Sequence, residues 1–271
     1  MPSKLSCFNT KCLVLMSFIY AASIQAAEIY IDNFVGEWQV QSVHIDTQRT
    51  SRSAVSAEDP MLIGRTLTFT HEKIAGKYLS DPGCERPVLI PQPKTSLNKL
   101  LILTTGQEGR VDLAKDYLLE EQGNSSVIPF LINCSSGIVG PSGEKTGNWL
   151  VKLDKHTMLT SWDDNSLLKL QKLLPGTPVG PSFNCQNAKN ITAKTICKSS
   201  GLAAWDRSVA AAYEIVEFQI KNIGVDVTES LSALNKEQRE WLAERNQCKD
   251  DRRCIEEKMV TRVSNLMAQA N

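Results

Sequence analysis

The sequence predicts an α+β chain, with an N-terminal antiparallel β-barrel or sandwich followed by a C-terminal disulfide-linked helical bundle. Three observations lead there. Up to about residue 173 the apolar residues fall in short alternating segments divided by turn residues. Residues 174–182 (LPGTPVGPS) then place three prolines and two glycines in nine positions, which no ladder or helix tolerates. Beyond them the apolar period becomes 3.6, and four cysteines stand in two close pairs, Cys185/Cys197 and Cys248/Cys254.

Taken in order, residues 1–27 have the form of a secretory signal peptide. Lys4 and Lys11 give a basic start, Leu13 to Ile24 an apolar core too short to span a bilayer, and Ala26 or Ala27 a small residue before the cut. An uncleaved amphipathic anchor is the rival reading. Cys7 and Cys12 precede the apolar core, so neither sits where a lipoprotein cysteine belongs.

Residues 28–173 form the β-rich domain. Strands are expected at Gly36 to Ile45, Leu62 to Thr70, Leu100 to Thr105, Val127 to Ile132, Trp149 to Leu153 and Met158 to Trp162. Turns are expected at Asp81-Pro82-Gly83, Ser136-Gly137, Gly140-Pro141-Ser142-Gly143 and Asp163-Asp164-Asn165. A short helix fits Val111 to Glu121. Gly36-x-Trp38 at the start of the first strand is the kind of motif that closes one end of a small barrel.

After the linker, residues 183–271 read as helices. Leu202, Trp205, Val209, Ala212, Tyr213, Val216 and Ile220 form one stripe, which ends near Asn222 to Gly224. A second helix from about Thr228 turns Leu231, Leu234, Gln238, Trp241, Leu242 and Arg245 inward. A third from about Asp251 carries Ile255, Met259, Val263 and Leu266. On one continuous helix Cys248 and Cys254 would lie ~9 Å apart, beyond the ~7 Å a disulfide spans between Cα positions. A bond between them therefore requires a break, for which Asp250 and Asp251 offer caps.

Removal of the leader leaves six cysteines in an exported chain, a count that favours three disulfides. Sequence alone does not choose among the 15 connectivities; chain proximity favours Cys84 with Cys134, Cys185 with Cys197, and Cys248 with Cys254. Zinc is disfavoured, because no C-x-x-C occurs and His44, His71 and His156 are scattered. No cofactor is expected. The 30 Lys and Arg are balanced by 30 Asp and Glu, interleaved, which argues against nucleic-acid binding.

Four segments resemble the LprI family of exported bacterial proteins: FNCQNAKNITAKTIC (Phe183 to Cys197), LAAWDRSVAAAYEI (Leu202 to Ile215), EQREWLAERNQC (Glu237 to Cys248) and CIEEKMVTRVSNL (Cys254 to Leu266). They cover nearly all of residues 181–266. The resemblance implies a disulfide-linked helical domain in the cell envelope and, for some members, inhibition of lysozyme. It reaches Cys185, Cys197, Asp206, Tyr213, Gln238, Trp241, Leu242, Arg245, Cys248, Cys254 and Arg262. A structural role for most of these outweighs a contact role: Trp241 and Tyr213 would fill the core, Asp206 would pair with Arg245 or Arg262, and Gln238 would bond a helix end. The N-terminal half resembles lipocalin-like envelope domains, on the Gly36-x-Trp38 motif.

No G-x-S-x-G, H-E-x-x-H or phosphate-binding glycine loop occurs, so no enzyme is expected. Glu237, Glu240 and Glu244 fit a solvated helix face. The expectation is a periplasmic or secreted binding protein without a stable membrane span, directed at lysozyme or a bacterial muramidase. The alternative is an envelope structural or small apolar-ligand-binding module, in which the barrel does the recognition.

Overall fold

The computed structural model describes residues 30–48, 55–105, 113–140, 148–174, 180–223 and 225–270. The signal-peptide reading, most of the proline-rich linker, and the turn expected after Gly140 lie outside the described residues. The architecture is α+β, a curled antiparallel sheet followed by C-terminal helices.

Twelve strands occur among the described residues: β1 (Gly36–His44), β2 (Thr66–Phe69), β3 (Lys73–Gly76), β4 (Ser80–Glu85), β5 (Val88–Pro91), β6 (Thr95–Ser96), β7 (Ser126–Val127), β8 (Phe130–Asn133), β9 (Ser136–Gly137), β10 (Trp149–Lys152), β11 (Thr157–Ser161) and β12 (Leu167–Lys172). Ten of them form one sheet in the order β5-β8-β10-β11-β12-β1-β2-β3-β4-β9, and β6 pairs only with β7. β8 and β9 are one chain segment two residues apart, yet β8 pairs with β5 and β10 while β9 pairs with β4. The sheet therefore curls until both ends of its strand order are bridged by the same segment. The Cys84–Cys134 disulfide, with 5.1 Å between Cα positions, fastens that bridge.

Alternation divides the apolar side chains between two faces. On β10, Leu150 enters the inner core with Phe34, Trp38, Leu67, Phe69, Ile74 and Met158. Its neighbours Trp149 and Val151 point the other way, joining Leu159 and Leu167 under α1 (Leu97–Thr104). Trp38 is fully buried, and its indole Nε1 donates to the Phe34 carbonyl at 2.6 Å, tying the entry of β1 to the preceding turn.

Several expectations fail here. Leu100 to Thr105 is helix rather than strand, because Ser96 caps α1 by accepting from the Lys99 amide at 3.2 Å, and Leu97, Leu100 and Leu101 form its buried face. Asp81-Pro82-Gly83 and Ser136-Gly137 are strand rather than turn. Their glycines permit close approach, since a Cβ at Gly137 would collide with the Gly83 carbonyl oxygen. The expected strand Val127 to Ile132 is interrupted at Pro129, leaving β7 and β8 as separate pieces. Asp163-Asp164-Asn165 does join β11 to β12 as a tight turn, with Asp164 and Asn165 at positive φ. Of the helix expected over Val111 to Glu121, residues 111 and 112 lie outside the described residues, and from 113 onward there are 3₁₀ turns at Ala114–Tyr117 and Glu120–Gln122.

The C-terminal helices are α2 (Ile191–Cys197), α3 (Ser200–Ile223), α4 (Val227–Asn246) and α5 (Arg252–Gln269). Their shared core includes Ile196, Trp205, Val209, Val216, Leu234, Ile255, Met259, Val263 and Leu266. Met61, from the sheet region, packs against the same cluster. The seam between sheet and helices is polar and aromatic. Arg65 lies 3.3 Å above the Trp205 ring centroid and donates from Nη2 to Ser208 Oγ at 3.0 Å. Lys77 pairs with Glu256 at 2.7 Å, and Tyr78 meets Trp205 edge-on at 5.0 Å.

Candidate functional site

The residues singled out by resemblance come together in the helical region, in two polar clusters and one groove. Asp206 on α3 and Arg245 on α4 are each 6 % exposed. Arg245 Nη1 donates to Asp206 Oδ1 at 3.1 Å, and Asp206 Oδ2 accepts from the Ser182 amide at 2.9 Å and from its hydroxyl. One carboxylate thus joins α3, α4 and the chain emerging from the linker. Burial holds the Arg245 guanidinium below its ordinary range, against the opposing pull of Asp206.

Arg262 on α5 does not reach Asp206. Its Nε donates to Gln238 Oε1 at 3.0 Å, and its Nη1 lies 3.6 Å from Glu237 Oε2. Gln238 therefore orients an arginine and does not bond a helix end. Trp241 is only half-buried: its indole donates to the Lys258 carbonyl at 3.2 Å, and the Arg245 guanidinium lies 5.1 Å from its ring. Tyr213 likewise sits at the core's margin, with its hydroxyl donating to Asn235 at 3.0 Å. Leu242 is half-buried on α4.

Disulfides join Cys185 to Cys197 and Cys248 to Cys254, with Cα separations of 5.8 and 5.6 Å. The second is possible because α4 ends at Asn246, Lys249 takes a positive φ of 53°, and α5 starts afresh at Arg252. Asp251 caps that start, accepting from the amides of Arg253 and Cys254 at 3.0 and 3.1 Å. Asp250 takes no part in the cap.

Trp241 and Arg262 line an open groove between α4 and α5, shared with Glu237, Glu240, Glu244 and Glu257. Lys258 and Arg262 line it with these four carboxylates, pairing with Glu244 and Glu237, while Lys236 and Arg253 pair with Glu240 and Glu257 at 3.9 and 2.8 Å. Helical periodicity puts Glu237, Glu240 and Glu244 on one polar face but does not put Glu257 opposite them, because the turn that folds α5 back along α4 carries no periodic signal.

One nucleophile–base contact escaped the sequence reading. Ser42 Oγ lies 2.8 Å from His44 Nε2, and His44 Nδ1 lies 2.9 Å from the Tyr117 carbonyl oxygen. That oxygen can only accept, so Nδ1 carries the proton and Nε2 accepts from Ser42. The signal was Ser-x-His on a strand, whose period of two turns both side chains to one face. Neither residue lines any of the described cavities. Among the described residues no group of three or more His, Cys, Asp or Glu is placed to hold a metal, and no helix is long and apolar enough to cross a membrane. No protein-family model matches the chain, and comparison with curated proteins and with solved structures returns no match.

Proposed function

We propose that this chain is an exported, non-enzymatic protein of the cell envelope that binds and inhibits lysozyme or another peptidoglycan-cleaving enzyme. The observation that carries the reading is the groove between α4 and α5. Residues of the LprI resemblance, Trp241 and Arg262, are ringed there by acids, and a half-buried tryptophan beside carboxylates suits a basic protein surface. Many lysozymes are strongly basic, and a chain with 30 cations and 30 anions can attract one only through a local patch of this kind. Inhibition needs a rigid surface that blocks a cleft, and the Cys248–Cys254 disulfide at the turn joining the groove's two helices supplies rigidity. In this reading the sheet region is a filled, lipocalin-like barrel and the helices a disulfide-linked bundle.

The alternative, a carrier of a small apolar ligand, has less support. Phe34, Trp38, Phe69 and Met158 occupy the interior of the curled sheet and are fully buried. Among the described residues the Ser42–His44 pair lines neither the α4–α5 groove nor the cavity between the sheet and the helices.

Cell-wall lysis assays with purified protein and several lysozymes test the proposal. Inhibition should appear at moderate molar excess and weaken with salt. The double charge reversal Glu240→Lys/Glu244→Lys should weaken it by about tenfold or more. Absence of inhibition at large molar excess across the panel overturns the function, and inhibition indifferent to the reversal overturns the groove.

A further inference from the structure

A second cavity, of about 210 Å³, lies in the seam between the sheet and the helices. Its lining includes Arg65, Lys77, Tyr78, Trp205 and the first two residues of α3, Ser200 and Gly201. Arg65 is the unusual member. It is 4 % exposed, its Nη2 is used by Ser208, and one face of its guanidinium is covered by Trp205. Its Nη1 is buried with no hydrogen-bond partner, and no carboxylate forms an ion pair with it among the described residues. Burying an arginine without a counter-charge is unfavourable, and a fixed anion removes that cost. Burial lowers the Arg65 pKa to about 9, with Arg207 adding to the shift and Glu256 and Tyr78 opposing it.

The same cavity receives the N-terminus of α3, a helix of 24 residues. Ser199 accepts from the Leu202 amide at 3.4 Å through its hydroxyl and from the Ala203 amide at 2.9 Å through its carbonyl. The amides of Ser200 and Gly201 are the remaining donors of the first turn. A Cβ at Gly201 would meet nothing within 4 Å, so the space before this turn is open. Two acids also line the cavity: Glu256 is engaged by Lys77 at 2.7 Å, and Glu37 is exposed. With Lys77 and Glu256 compensating each other, the uncompensated donors are the buried guanidinium and the helix end.

We propose that this seam is a binding site for a small oxyanion of the phosphate or sulfate class, held between the Arg65 guanidinium and the first turn of α3. Such an ion would join the two regions of the chain, since Arg65 precedes β2 and the helix end belongs to the C-terminal region. The site is separate from the α4–α5 groove and does not depend on the inhibitor reading.

The test is isothermal titration of the full chain with inorganic phosphate and with sulfate at constant ionic strength, chloride serving as control. Saturable one-to-one binding of either ion is expected, together with an ion-dependent rise in Tm that chloride does not reproduce. Arg65→Met should weaken binding about tenfold or more. Because that variant removes a buried stacked side chain, Gly201→Asp is the decisive companion. It adds a carboxylate at a helix N-terminus, where it favours folding, and occupies the space of the ion. A folded Gly201→Asp chain that no longer binds supports the site. Absence of saturable binding to the unmodified chain, or unchanged affinity in Gly201→Asp, overturns it.

Discussion

The sheet region and the helical region are stabilised in different ways. The sheet encloses tryptophan, phenylalanine, leucine and methionine side chains on two faces, and its one disulfide closes a loop of 50 residues between distant strands. The helices share a smaller apolar cluster, place Asp206, Arg245 and Arg262 inside it, and carry two disulfides across only 12 and 6 residues. Non-directional packing on a hydrogen-bonded ladder suffices for the sheet. The helices have no ladder between them, so their relative positions depend on side-chain geometry, and a carboxylate with three partners specifies a position that interchangeable apolar contacts do not.

The contrast can be broken most severely at Asp206. Asp206→Ala leaves the Arg245 guanidinium buried without its partner, and ~3–5 kcal/mol of stability should be lost in urea unfolding. The double variant Asp206→Ala/Arg245→Met should recover much of that loss; a single variant costing under ~1 kcal/mol would show that packing alone positions the helices. Next is the sheet's disulfide. Cys84→Ala/Cys134→Ala should cost ~4 kcal/mol, because closing so long a loop restrains the unfolded chain strongly. Cys248→Ala/Cys254→Ala should cost ~2 kcal/mol, the six-residue loop being short and Asp251 still capping α5. Equal losses in the two double variants would mean that loop length does not govern the difference.

The smallest expected effect is a pH dependence confined to the sheet. Burial lowers the His44 pKa from its ordinary 6.5; Lys169 adds to the shift and the Tyr117 carbonyl opposes it. The folded state therefore prefers the neutral imidazole. That contribution is complete above pH 6.5 and is lost as pH falls through the lowered value. Unfolding free energies measured from pH 7.5 down to about 5 should fall less steeply in His44→Asn than in the unmodified chain.

How much of this was legible depended on the range over which each signal acts. The helices α3, α4 and α5 were visible because each keeps its apolar residues in register for several turns, and the break between Cys248 and Cys254 followed from bond geometry. Strand β12 was not visible. LLKLQK is built of good helix formers and becomes a strand because β1 and β11 flank it. Helix α1 was misread because LLILTT favours a strand, while its Ser96 cap lies upstream of the apolar run. The acidic groove was half legible: three of its glutamates share a helix, but the fourth comes from the helix that folds back.

By itself the sequence determined the α+β order, the change of period after residue 182 and the cysteines available for bonding, since each of these is carried by neighbouring residues. The tertiary structure alone decided that Asp206 pairs with Arg245 while Arg262 turns to Gln238, that one segment bridges both ends of the sheet, and that Arg65 is buried against Trp205. Those outcomes join residues far apart in the chain, whose distances depend on how whole elements pack rather than on any local preference.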